Sequence, residues 1–202
     1  MRQPAQERGR RRRDALLDAG VELLTEGGFT KVSHRAVAER AGLPLAATTY
    51  YFRSRDDLVT AAFEQMVDRD LAATREHFTA HVAQLADTTP RPVAEALAVA
   101  LLPHDETERR RHLALWELYL QAGRDPALRP LARSWTDRCR ATTLELLRFA
   151  GYPATPDSVR LLGAAADGLA IETIVEDRPN AVQSMVETMS RALEWIRTTE
   201  GA

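Results

Sequence analysis

Cysteine, β-branched aliphatic residues and long apolar runs are all scarce in this sequence. The single cysteine, Cys139, cannot form an internal disulfide or build a cysteine-ligated metal site. No run approaches the roughly 20 apolar residues that cross a bilayer, and Asp18 and Glu22 break the apolar stretch that an export signal would need. We therefore expect no disulfide framework, no membrane span and no export signal, and we expect a cytoplasmic protein.

Alanine and leucine dominate the apolar residues, with 33 Ala and 25 Leu against 12 Val and 3 Ile. Ala and Leu lose little side-chain entropy in a helix, whereas β-branched residues suit strands. No segment alternates between apolar and polar residues with a period of two. The composition therefore predicts an all-α fold. Glycines, prolines and capping residues divide it into nine helices, at about 10–26, 35–41, 45–52, 55–85, 93–102, 106–122, 127–150, 157–175 and 180–198.

Positive charge is concentrated near the N-terminus of a chain whose net charge is −2. Through Asp56 there are 11 Lys and Arg against 7 Asp and Glu, whereas the remainder is acidic. Such a distribution indicates that the N-terminal region binds a polyanion, although chance variation in the placement of charged residues explains it equally well. The run Arg10–Arg13 is interpreted either as a flexible arm on DNA or as a disordered solubilising tail.

Residues 33–52 have the pattern of two short helices joined by a tight turn. Ala38 supplies the small residue that two steeply crossing helices need where their backbones approach. Four positions later, Gly42 suits the left-handed conformation of the turn. The second helix would then present Leu45, Ala46 and Thr49 outward. This pattern predicts a helix-turn-helix, which places such a face in the major groove of DNA.

The segment from Ala15 to Asp57 resembles the N-terminal domain of the TetR/AcrR family of one-component transcriptional regulators. The resemblance implies a helix-turn-helix DNA-binding domain over residues 1–54 and a helical effector-binding and dimerisation domain over residues 55–202. The second part matches the family only in the number and order of its helices. The matching residues are Gly27-Gly28-Phe29, Val32-Ser33, Val37-Ala38, Ala41-Gly42-Leu43, Tyr50-Tyr51-Phe52, Ser54-Arg55 and Asp57-Leu58.

The third helix departs from the family's common residues. Leu45, Ala46, Thr49 and Tyr51 stand where the family commonly has lysine, glycine, an aromatic residue and histidine, respectively. The resemblance therefore carries over no operator sequence. Since Leu45, Ala46 and Ala47 have no hydrogen-bonding side chains, contact with thymine methyl groups is more plausible there than bidentate readout of bases.

The resemblance also implies which residues meet DNA. Tyr50, Tyr51 and Arg55 match family positions that contact phosphates, a role suited to hydroxyl and guanidinium groups. Core packing is the alternative for the two tyrosines. Thr49 is the best candidate for a hydrogen bond to a base edge. The alternative is that its side chain is exposed and does not contact DNA. The full predicted DNA-binding set is Ser33, His34, Arg35, Leu45, Ala46, Thr49, Tyr50, Tyr51 and Arg55.

Broad apolar stripes mark the last two helices. In the TetR family these helices pair with their symmetry mates as a four-helix bundle, so the resemblance implies a homodimer. The alternative is an intramolecular core, which part of each stripe must serve. The predicted interface residues are Leu162, Ala165, Leu169, Val182, Met185, Val186, Met189 and Leu193.

An effector pocket is predicted from His112, Trp116 and Tyr119, which share one face of the sixth helix. Simple core packing is the alternative. His77 and His81 lie one turn apart, but no third ligand accompanies them, so we expect exposed surface, no metal and no cofactor. The complete predicted effector set is Phe63, Met66, Val67, His112, Trp116, Tyr119, Trp135, Cys139 and Glu172.

Together these features predict a DNA-binding transcriptional regulator, most simply a repressor that leaves a palindromic operator when a small organic effector binds. A helical protein–protein adaptor without DNA binding, or a family member acting as an activator, is the alternative. No phosphate loop, nucleophile elbow or zinc-protease motif occurs in the sequence, so we expect no enzyme activity.

Overall fold

The computed structural model describes residues 4–176 and 180–200, and within these ranges it contains helices, turns and no β-strand. The predicted all-α fold is confirmed. A short 3-10 turn, Pro126–Leu128, precedes the seventh α-helix. The α-helices are α1 Pro4–Lys31, α2 His34–Arg40, α3 Leu45–Tyr51, α4 Arg55–Val82, α5 Pro90–Leu101, α6 Glu106–Arg124, α7 Arg129–Phe149, α8 Pro156–Glu176 and α9 Ala181–Thr199.

Helix α1 is the element whose bounds differ most from the prediction, because it starts earlier and continues to Lys31. Its backbone leaves the helical region at Gly27 (φ −168°, ψ 27°) and Gly28 (φ 65°, ψ −161°), directly after the predicted end. Only glycine adopts the dihedral angles of Gly28 without strain. The two glycines therefore turn the chain, and a last short turn of helix follows them.

Side-chain caps begin three of the helices. The Ser33 hydroxyl accepts a hydrogen bond from the Ala36 N–H of α2 at 3.1 Å. At the start of α4, the Ser54 hydroxyl accepts from the Asp57 N–H at 3.1 Å. The Thr155 hydroxyl accepts from the Ser158 N–H at 3.3 Å before α8. Each cap satisfies a backbone donor that has no partner within its helix, which is typically worth about 1 kcal/mol.

The chain folds into two compact units, and α4, α6 and α7 contribute residues to both. The first unit consists of Met1–Arg69 and Thr107–Arg133, and the second of Asp70–Glu106 and Ser134–Ala202. These units differ from the predicted DNA-binding domain (residues 1–54) and effector-binding domain (residues 55–202), which are defined by function. That functional division stays a prediction.

The core of the first unit joins α1, α2, the first half of α4 and α6. Leu16 and Leu24 of α1, Val37 of α2 and Phe63 of α4 are each at most 1% exposed, and Leu118 of α6 is fully buried. Full burial of each such side chain contributes about 1.5–3 kcal/mol. This packing fixes α2 and α3 against α1.

The core of the second unit lies among α5, α8 and α9. The side chains of Leu162, Met185, Met189 and Leu193 are at most 2% exposed, and Val186 is 6% exposed. These five predicted interface residues belong to one apolar cluster within the chain. Their burial in the chain's own core matches the intramolecular alternative, and their part in a dimer interface stays a prediction.

The sequence predicts exposed positions for His77 and His81, but both side chains are half-buried. The ring of His77 packs edge-on against that of His104, with 5.3 Å between ring centroids. Among the residues described, no group of three or more His, Cys, Asp or Glu is placed to hold a metal ion. In the same part of the chain, no helix is both long and apolar enough to cross a membrane.

Candidate functional site

Helix α3 has one buried side and one side open to solvent. Thr48 is completely buried, and its hydroxyl donates to the Leu45 carbonyl at 2.8 Å. On the open side, Tyr50 is 81% exposed and Leu45 is 51% exposed, and Ala46 and Thr49 are also exposed. The seven-residue helix therefore presents to solvent the face that the sequence predicts for base contacts.

The turn between α2 and α3 sets the direction in which that face points. Gly42 has φ 63°, and its N–H donates to the Glu39 carbonyl at 3.2 Å. The Leu43 N–H donates to the Ala38 carbonyl at 2.9 Å. A Cβ at position 42 would meet nothing within 4 Å, so the glycine serves the backbone angle and not the packing.

An arginine clamp attaches α2 to α1. The Arg40 guanidinium donates to both carboxylate oxygens of Glu26, at 2.8 and 2.7 Å, and to Glu22 at 3.1 Å. The hydrogen bond from Arg40 lowers the pKa of the Glu26 carboxyl. The clamp therefore stabilises the fold above the ordinary pKa of a glutamate, and that contribution is lost as the pH falls through the lowered value.

Arg55 and Tyr51 already have hydrogen-bond partners inside the first unit. The Arg55 guanidinium donates through Nε to the Val32 carbonyl at 2.8 Å and through Nη2 to the Phe29 carbonyl. The Tyr51 hydroxyl donates to the Gly9 carbonyl of α1 at 2.9 Å. Both side chains thus hold the backbone around the helix-turn-helix. Their direct contact with phosphates stays a prediction.

The remaining predicted DNA contacts differ in their exposure and in their hydrogen bonding. Tyr50 packs edge-to-face against Tyr51, with ring centroids 4.9 Å apart, and its exposure excludes the alternative of core packing. Arg35 is exposed, whereas Ser33 is half-buried and caps α2. Among the side-chain atoms described, the buried Nδ1 of His34 has no hydrogen-bond partner.

The predicted effector residues divide between the two units. Phe63, Met66 and Val67 are buried in the first unit. On α6 in the same unit, Trp116 is half-buried and its ring lies edge-to-face with the 41%-exposed Tyr119, at 5.9 Å. His112 is half-buried there, as are Trp135 and Cys139 in the second unit, whereas Glu172 is exposed. Their assembly into one pocket stays a prediction.

Cys139 has the chemistry of a structural thiol. Burial raises its pKa to about 12, with a smaller contribution from the negative charges of Asp70 and Asp167. At neutral pH the thiol is therefore protonated, and a protonated thiol is a poor nucleophile.

An exposed apolar seam on α8 was missed by the sequence interpretation. We define it as Leu161, Ala164, Gly168, Ile171 and Val175, which follow one another at alternating spacings of three and four residues. Leu161 is 56%, Ile171 39% and Val175 65% exposed. The spacing is that of a coiled-coil seam, and it was visible in the sequence as a second apolar stripe beside the buried one.

Comparison with protein families matches most of the chain. Residues 16–62 match the family described as bacterial regulatory proteins, tetR family. Residues 73–194, more than half of the chain, match the tetracyclin repressor-like C-terminal domain. The first match covers the caps at Ser33 and Ser54, the turn and the exposed face of α3, and the second covers α5 to α8 and most of α9.

Relatives and solved structures agree with these matches. The transcriptional regulator BetI of Rhizobium meliloti is 30% identical over 178 residues, which are 87% of this chain and 84% of BetI. The transcriptional regulator SCO7518 from Streptomyces coelicolor A3(2) aligns with a TM-score of 0.73 and 29% identity, over 90% of this chain and 98% of its own. The multidrug binding protein EbrR, crystallised with proflavin, aligns with a TM-score of 0.61 and 31% identity, over 90% and 99% of the two chains. The protein therefore belongs to the TetR family and is a transcriptional regulator of that family.

Proposed function

We propose that this regulator is a homodimeric repressor that binds a palindromic operator and leaves it when a small organic effector binds. The observation that carries the proposal is the exposed face of α3, held at a fixed angle by the Gly42 turn and the Arg40 clamp. A recognition helix needs this combination of a rigid base and an accessible face, because it enters the major groove as a preformed element. Phosphates beside it would meet the exposed guanidinium of Arg35.

Thr49 is the polar side chain proposed to read a base edge. It is exposed, and its hydroxyl now donates to the Ala46 carbonyl at 3.2 Å, a weak bond that a base acceptor can replace. Leu45 and Ala46 on the same face suit thymine methyl groups.

Selection of bound duplexes from a random pool tests this function. We expect a palindrome with half-sites about 34 Å apart, the spacing at which a dimer meets successive major grooves. The Thr49→Ala substitution should change base preference at one position per half-site, on the scale of about 1–3 kcal/mol. The matched control is Thr198→Ala on α9, whose exposed hydroxyl makes a similar local bond to the Glu194 carbonyl at 2.9 Å. A pool without a palindrome, or equal effects of the two substitutions, would contradict the proposal.

The dimer is proposed to form through the exposed seam on α8, seated against a second copy of the chain. Its small residues Ala164 and Gly168 let two helices approach closely, and Ile171 and Val175 supply apolar contact. Trp195 of α9 is 43% exposed and extends the apolar surface of the second unit. We therefore place the interface on this seam, together with the predicted Ala165, Leu169 and Val182, which the core leaves half-buried or exposed.

The effector is proposed to be a flat aromatic cation. EbrR was crystallised with proflavin and with ethidium, and it is 31% identical to this chain in both structures. In this chain the half-buried Trp116 provides a π-face, which attracts a cation when water is excluded. The effector must bind the conformation that does not fit DNA more tightly, and a 100-fold loss of operator affinity corresponds to about 2.7 kcal/mol of differential binding.

Calorimetric titration of the DNA-free protein with proflavin tests the proposed effector class. We expect saturable binding that Trp116→Ala weakens by roughly 5- to 10-fold, the scale of a lost aromatic contact. Leu120→Ala is the control, because Leu120 is 63% exposed on the same helix. Absence of binding, or the same loss in both variants, would reject this effector class and leave the DNA-binding proposal untouched.

A further inference from the structure

The first turns of α1 lie beside the recognition helix. The sequence predicts either a flexible arm or a disordered solubilising tail for residues 10–13, whereas in the structure they belong to a helix that begins at Pro4. The hydrogen bond from the Tyr51 hydroxyl to the Gly9 carbonyl, at 2.9 Å, joins this helix to the end of α3. Arg13 lies over the Phe52 ring at 5.7 Å and adds a second contact to the same region.

A cleft of about 660 Å³ separates the first turns of α1 from α3. Arg8 and Arg12 line one wall, and Ala46, Ala47 and Tyr50 line the other. The cleft therefore opens beside residues of the face that is proposed to enter the major groove. A duplex seated on that face would bring a phosphate backbone to the two arginines.

Arg8 and Arg12 are suited to bind that backbone. They are four residues apart, so they share one side of the helix, and both are exposed. Among the side chains that the structure describes, neither one pairs with a carboxylate, whereas the neighbouring Arg11 pairs with Glu7 at 3.2 Å. A guanidinium with no protein partner can offer phosphate its full fork of donors.

We propose that Arg8 and Arg12 bind the phosphate backbone of the DNA that borders the groove occupied by α3, and that Tyr51 is the positioning residue that holds them there. This inference rests on the proposed DNA-binding function. It assigns the Tyr51 hydroxyl to α1 rather than to a phosphate. The first turns of α1 thereby become a second, sequence-independent contact of each head with DNA.

Salt dependence of binding tests the two arginines. The probe is a fluorescein-labelled 40-bp duplex of mixed sequence, titrated by anisotropy over a range of KCl concentrations. The double variant Arg8→Ala with Arg12→Ala should reduce the slope of log K against log [salt] by about 1.8 per bound head, since each phosphate contact contributes about 0.9. The variant Arg8→Lys with Arg12→Lys should keep the slope, because lysine also neutralises phosphates.

The matched control is Arg10→Ala with Arg11→Ala, which removes the same charge from two arginines that do not line the cleft. We expect this control to leave the slope close to that of the parent. Equal slopes for the two double-alanine variants would overturn the inference, since the effect would then reflect net charge alone. If the parent itself shows no salt-dependent binding, the proposed function fails, which is a separate outcome.

A double-mutant cycle tests the role of Tyr51. Tyr51→Phe should weaken binding by about 2- to 10-fold in the parent, the scale of one hydrogen bond, and should have no further effect when Arg8 and Arg12 are alanine. Melting curves check that each variant is folded. A loss that persists in the background without the two arginines would show that the hydroxyl meets DNA directly, and would overturn the positioning role.

Discussion

The Ile171→Arg substitution is expected to convert the protein to a monomer and to lower its affinity for a palindromic duplex by about 100-fold or more. This is the scale by which two linked DNA-binding domains bind more tightly than one. Ile171 is 39% exposed in the middle of the seam on α8. In a two-fold dimer each substitution places a guanidinium opposite the partner's apolar seam, so both copies lose apolar burial and gain an unpaired charge.

Sedimentation equilibrium and anisotropy, performed over the same protein concentrations, measure the two effects together. Val99→Arg is the matched control, because Val99 is 36% exposed on α5 of the same unit and carries the same change of size and charge. Leu161→Arg should behave as Ile171→Arg does, since it lies on the same seam. A dimer of unchanged strength in both seam variants would place the interface elsewhere.

The Gly28→Ala substitution is expected to destabilise the protein by about 2 kcal/mol, since φ 65° with ψ −161° lies in a region that only glycine adopts freely. A Cβ there would also clash with Oε2 of Glu117. That carboxylate is the end of a flexible side chain and can move away, so the strain resides mainly in the backbone. For a chain of this length the midpoint of thermal unfolding should fall by about 4–8 °C.

Two further variants separate the causes. Glu117→Ala combined with Gly28→Ala removes the close approach, and should recover little of the lost stability if the backbone angle dominates. Gly123→Ala on α6 is the control, because a Cβ there meets nothing within 4 Å, and it should be neutral or raise stability by up to about 1 kcal/mol. Full recovery in the first variant would instead assign the cost to Glu117.

Much of the helical architecture and of the DNA-binding head was readable from local signals. The caps at Ser33, Ser54 and Thr155 and the positive φ of Gly42 depend on residues within a few positions of one another, so the local sequence carries their signals. Periodicity was less informative for α8, which carries two apolar stripes. Because both satisfy the same spacing rule, the sequence could not show that Leu162 faces its own core while Ile171 faces solvent.

The sequence by itself determined the helices, the turn and the family, because each depends on short-range propensities and on a long, specific motif. Tertiary structure alone decided the partners of the site's polar groups. The Tyr51 hydroxyl reaches a carbonyl 42 positions earlier, and Arg55 reaches one 23 positions earlier. Residue type predicts that a tyrosine hydroxyl and an arginine guanidinium form hydrogen bonds. Only the folded backbone decides that their acceptors are these carbonyl groups, because the acceptors are far away along the chain.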